Sequence, residues 1–131
     1  MDTLAPSTRE LARTLWAASV HASATHGQST PLVNENLRRS LIQFAGADGF
    51  LSLLRRSTAL ASAEVPVLRA ADVSSDGGIH GIEELVTNAV TAEQAAIAIT
   101  AHMLELLVTF IGEPLTQRLV REACPETSLG E

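Results

Sequence analysis

The sequence predicts an all-α fold, and three observations carry that expectation. Ser7-Thr8-Arg9-Glu10 and Thr91-Ala92-Glu93-Gln94 have the spacing of capping boxes, in which a hydroxyl and a carboxylate or amide reciprocally satisfy free N–H groups at a helix start. Downstream of such signals the apolar residues recur at the 3.6-residue period. The hydrophobic fraction of 46% is built from Ala, Leu, Ile and Val, since aromatic residues make up only 3%: Trp16, Phe44, Phe50 and Phe110, with no Tyr. Ala and Leu favour helix.

Taken in order, a first helix starts at the Ser7 box and runs to about Thr25. Leu11, Leu15, Ala18 and Ala22 form its inner face, Trp16 and Val20 widen that face, and Gly27 stops it. Thr30-Pro31 announces a second helix, because proline at the first helical position has no N–H to leave unsatisfied. Its expected buried stripe is Val33, Leu37, Leu41 and Phe44, closed by Gly46. Asp48 then caps a third helix through Phe50, Leu51, Leu54 and Ala61, ending near Pro66.

Residues 65–81 crowd Pro66, Asp72, Ser74, Ser75, Asp76, Gly77, Gly78 and Gly81 into a turn-rich loop. It has room for an extended stretch at Val67 and Leu68, or for a small hairpin turning at Asp76-Gly77. A short helix at about Ile82 to Asn88 follows, then the longest helix from the Thr91 box to Gly112 and Pro114. A last helix runs through Leu115, Leu119 and Ala123, and a tail occupies about 125–131. The expected architecture is one domain, a bundle of five to six helices with a Gly/Ser/Asp-rich loop.

A chain of 131 residues suffices for one core, and 18% charged residues is an ordinary globular value. The formal charge of −6 repels phosphate backbones, so nucleic acid is not an expected partner. The single cysteine, Cys124, excludes an internal disulfide, and the N-terminus has neither a basic run nor a long apolar one. A cytoplasmic chain is expected. The apolar stretch Ala95 to Ile111 is short for a membrane span and carries His102 and Glu105, so no membrane span is expected.

Several patterns with chemical potential resolve into blander readings. Asp72, Ser74, Asp76, Gly78 and Glu83 take the ligand positions of a twelve-residue EF-hand calcium loop, with Gly77 at its sharp turn and Ile79 at the aliphatic position. Pro66 leaves little room for an incoming helix, and no second loop pairs with it, so a glycine-rich turn before a helix start is the plainer reading. His102 and Glu105 share a helix face as an acid–base or metal pair would, and equally form a polar stripe. His80 with Glu83 or Glu84 has similar spacing, and His21 with His26 does not place both rings on one face. No zinc cluster emerges.

Ser19 and Ser23 lie near His21 without a strained nucleophile turn, and Cys124 has only Arg121 as a nearby cation. Arg38-Arg39 and Arg55-Arg56 would converge on one anion if the second and third helices packed as a hairpin; otherwise they are solvated faces. No catalytic, cofactor-binding or metal-ligating residue is assigned.

On the longest helix, Gln94, Ala98, His102, Glu105 and Thr109 form a narrow stripe, and nearly everything else is apolar. One side carries Ala96, Ile99, Met103, Leu106, Leu107 and Phe110, and the other Ile97, Ala101, Leu104, Val108 and Ile111. Either the helix is central in its own chain, or its second side meets a second copy. A homodimer through the 92–111 helix is the expected partner arrangement.

Gly-Phe-Leu-Ser-Leu-Leu-Arg-Arg from Gly49, together with Phe-Ile-Gly-Glu-Pro-Leu-Thr-Gln-Arg-Leu-Val-Arg-Glu-Ala-Cys-Pro-Glu from Phe110, resembles a group of small uncharacterised all-helical bacterial proteins. The resemblance covers the chain from about Leu37 onward and implies no activity or cofactor. The functional expectation is a non-enzymatic, self-associating helical interaction module. The rival is a small-molecule binding or sensing domain with His102, Glu105 or Trp16 in a pocket. An EF-hand-like calcium loop at 72–83 is the third alternative.

Overall fold

The computed structural model describes residues 6–26, 32–73, 79–80 and 88–123. Among them are four α-helices: α1, Pro6–His26; α2, Glu35–Ala61; α3, Ala89–Ile111; and α4, Glu113–Ala123. A 3-10 helix, Pro66–Ala70, and a two-residue antiparallel ladder, β1 Asp72–Val73 with β2 Ile79–His80, lie between α2 and α3.

The all-α class therefore holds with fewer helices than the sequence suggests. The expected break at Gly46 is present: its φ +82°, ψ 165° are not helical, so Glu35–Ala61 is two helical segments joined end to end by a kink and described here as the one element α2. The expected short helix before Asn88 and the chain beyond Ala123, Cys124 included, lie outside the described residues. So do Ser74–Gly78 and Gly81–Glu84.

Helix starts are displaced from the expected caps for identifiable reasons. α1 begins at Pro6, one residue before Ser7, and proline suits that first turn. α2 is capped by Asn34, whose Oδ1 accepts the Leu37 N–H at 3.1 Å while its Nδ2 donates to the Leu15 carbonyl at 3.1 Å. That buried side chain both starts α2 and ties it to α1. Asn88, not Thr91, caps α3 by accepting the Thr91 N–H at 3.0 Å. Gly112, at φ +92°, ends α3 as expected.

Val67 and Leu68 belong to the 3-10 helix, not to an extended stretch. The hairpin expectation fits the ladder, which pairs Asp72 with His80 and Val73 with Ile79.

α3 is the hub, packed by α1, α2 and α4. Every residue from Ala95 to Leu104 is buried. One side of α3 joins Leu15, Leu37, Leu41, Phe50, Leu54 and Val120 in the main core; on another, Ile97 and Ala101 meet Ala12 and Trp16 of α1. Ile97 and Leu104, on the side expected to need a second copy, are 8% and 1% exposed, covered by their own chain. The span Val90–Ile111 is long and apolar enough to cross a membrane, yet most of it is buried within this fold.

Phe44 departs from its expected stripe. Gly46 adopts φ +82°, ψ 165°, a region essentially restricted to glycine, and the bend leaves Phe44 46% exposed while Leu37 and Leu41 stay buried. A Cβ on Gly49 would lie 2.9 Å from that of Ala45, so the first turn after the bend also requires glycine.

Two outcomes follow. Leu104→Glu places an unpaired charge in the core and is expected to abolish folding, read as loss of the helical circular dichroism signal; a folded variant overturns the core assignment. Gly46→Ala meets open space but a strained backbone, so urea unfolding is expected to show a loss of about 1–3 kcal/mol. Unchanged stability there means that the bend is not held.

Candidate functional site

Two places on the molecule combine unusual chemistry with defined geometry. The first is a polar cluster on α3. His102 is 6% exposed, and its Nε2 lies 2.7 Å from Oε2 of Glu64, in the turn after α2. Arg9 of α1 donates to Oε1 of the same carboxylate at 2.8 Å. One turn along α3, Glu105 accepts from the Thr8 hydroxyl at 2.8 Å. Thr8 and Arg9 are adjacent on α1, so the start of that helix is tied to α3 directly and through Glu64.

The arrangement satisfies buried polar groups, which is costly to omit. Burial pushes the Glu64 carboxyl up, but hydrogen bonds from Arg9 and His102, together with their charges, outweigh it and hold the group below the ordinary glutamate value. His102 and Glu105, adjacent on one face by sequence, thus turn to different partners rather than towards a common substrate or ion. Glu64 and Arg9 are the members that sequence spacing did not reveal, because they lie far from His102 along the chain and no local pattern links them.

The second place is a groove of about 340 Å³ where the bend of α2 meets the end of α3. Phe44, Ala45, Gly49, Ser52, Leu53 and Arg56 line it from α2, and Leu107, Phe110 and Ile111 from α3. Phe110 is 63% exposed. Ser52 and the exposed Arg56 are its only lining residues that are not apolar or glycine, and Arg56 makes no ion pair among the described residues.

The remaining sequence candidates are dispersed. Arg38 and Arg39 pair with Glu35 on the first turn of α2, whereas Arg55 and Arg56 lie on the helical segment beyond the kink at Gly46. Arg55 instead borders a separate recess with Arg69 and Asp72. Trp16 packs on α1 against Ile97 and Ala101, and Ser19 is buried. In the calcium-loop pattern, the incoming element is a five-residue 3-10 helix, and Ile79 pairs with Val73 of the same segment. An EF-hand has an incoming α-helix there. Among the described residues, no group of three His, Cys, Asp or Glu is placed to hold a metal ion.

Fold and groove define a small α-helical protein with a kinked helix packed on a buried central one and an apolar groove where the two meet. No protein-family model, curated protein or solved structure matches the chain.

The Glu64 cluster has a testable pH signature. A carboxyl whose folded pKa lies below its unfolded one adds stability that is complete above the ordinary value of 4.5 and is lost as pH falls through the lower folded value. Wild type is therefore expected to exceed Glu64→Gln in melting temperature at neutral pH, the gap closing below about pH 4.5. A gap independent of pH overturns the pairing.

Proposed function

We propose that this protein is a non-enzymatic helical interaction module of a bacterial cytoplasm, and that the Phe44–Phe110 groove is its recognition surface. The observation that carries the reading is the placement of two aromatic rings at a surface that the fold could have left polar. Phe44 and Phe110 are 46% and 63% exposed beside buried Leu53 and Leu107, in a chain with only four aromatic residues. Aromatic residues are the common anchors of interfaces, and an apolar recess with one arginine in its lining suits an apolar partner surface carrying an acid.

The groove volume lies at the lower edge of small-molecule sites, which favours the second reading, a ligand-binding domain. The residues expected to contact such a ligand, His102, Glu105 and Trp16, do not line it. The apolar rim extending onto Phe110 favours a macromolecular surface over an enclosed ligand.

A Phe44→Ser/Phe110→Ser double variant tests the reading. The wild type at submicromolar concentration is expected to raise the fluorescence of an apolar dye and the variant to raise it far less. The expected change in stability is within about 0.5 kcal/mol per substitution, as for surface sites. A loss of about 3–5 kcal/mol per ring, the cost of truncating a core phenylalanine, overturns the proposal by making the rings structural.

A further inference from the structure

The bend that exposes Phe44 also sets up a self-complementary surface beside it. Asp48, Ser52 and Arg56 follow at four-residue spacing on the second half of α2, and all three are exposed. They form one ridge, with acid and base about 12 Å apart at 1.5 Å per residue and the small Ser52 at the midpoint. Neither Asp48 nor Arg56 makes an ion pair among the described residues. Ala45 and Gly49, next to this ridge, present almost no side-chain bulk and let a facing helix approach closely.

We infer that the occupant of the groove is a second copy of this chain, packed with its α2 antiparallel to the first about a two-fold axis at Ser52. In that register Asp48 of each copy lies opposite Arg56 of the other, and Phe44 and Phe110 of both copies flank the axis and are covered together. A two-fold contact demands that a surface match itself, with each residue and its counterpart exchanging roles. A ridge whose two ends carry opposite charge around a small central residue meets that demand. The apolar groove alongside supplies the buried area, and the two symmetry-related charge pairs fix the register.

This inference rests on the groove being the recognition surface, and it names what fills that surface. It relocates the dimer contact from the side of α3 bearing Ile97 and Leu104, which the chain buries by itself, to the bend of α2 and the exposed end of α3.

Sedimentation velocity at tens of micromolar, on the wild type, Asp48→Arg, Arg56→Asp and the double exchange, tests it, with circular dichroism confirming that each exposed substitution leaves the helices intact. The wild type is expected to dimerise. Each single reversal sets like charges opposite one another twice and is expected to weaken the dimer at least about tenfold. The double exchange restores the pairs with roles reversed and is expected to recover wild-type association. A dimer indifferent to both single reversals, or not rescued by the double exchange, overturns the proposed register. A wild-type monomer overturns the second copy as occupant: if the apolar dye still binds and depends on Phe44 and Phe110, the groove remains a recognition surface for another partner. If dye binding is absent as well, both readings fall.

Discussion

α3 runs through the interior with ten consecutive buried residues, Ala95 to Leu104. A helix buried on every side makes two demands on its surroundings: each face must find a packed neighbour, and each polar side chain must find a partner. The alanines at 95, 96, 98 and 101 answer the first by letting neighbouring helices come close, and α1, α2 and α4 take up the space around them. The second is answered by Glu64 for His102 and by Thr8 for Glu105. Those two bonds, with Arg9 on Glu64, bring the start of α1 and the turn after α2 onto the central helix.

The same centrality determines what is left outside. The C-terminal turns of α3, with Phe110 exposed at their surface, lie beside the bend of α2. Gly46 and Gly49 make that bend, one by its backbone angles and the other by lacking the Cβ that Ala45 would exclude. Polar and apolar features are therefore separated along α3. Its middle carries the polar cluster that ties helices together, and its end carries the apolar surface proposed above for recognition. A histidine–carboxylate contact in a small helical protein invites a catalytic reading, but here both members are engaged in joining helices.

Composition, capping residues and periodicity in the sequence determined that the chain is helical, because these express local backbone preferences and need no knowledge of the neighbours. They located Gly112 as the end of α3 and the Leu37–Leu41 and Phe50–Leu54 stripes as core. The breadth of the apolar surface on α3 likewise required it to be covered. Tertiary structure alone shows what covers Ile97 and Leu104: helices of the same chain. It also decided the direction of the kink at Gly46, which left Phe44, an expected core residue, at the surface. Partners far apart along the chain, such as Glu64 with His102 and Phe44 with Phe110, leave no trace in local spacing. Only packing brings them together, and the candidate site is made of such residues.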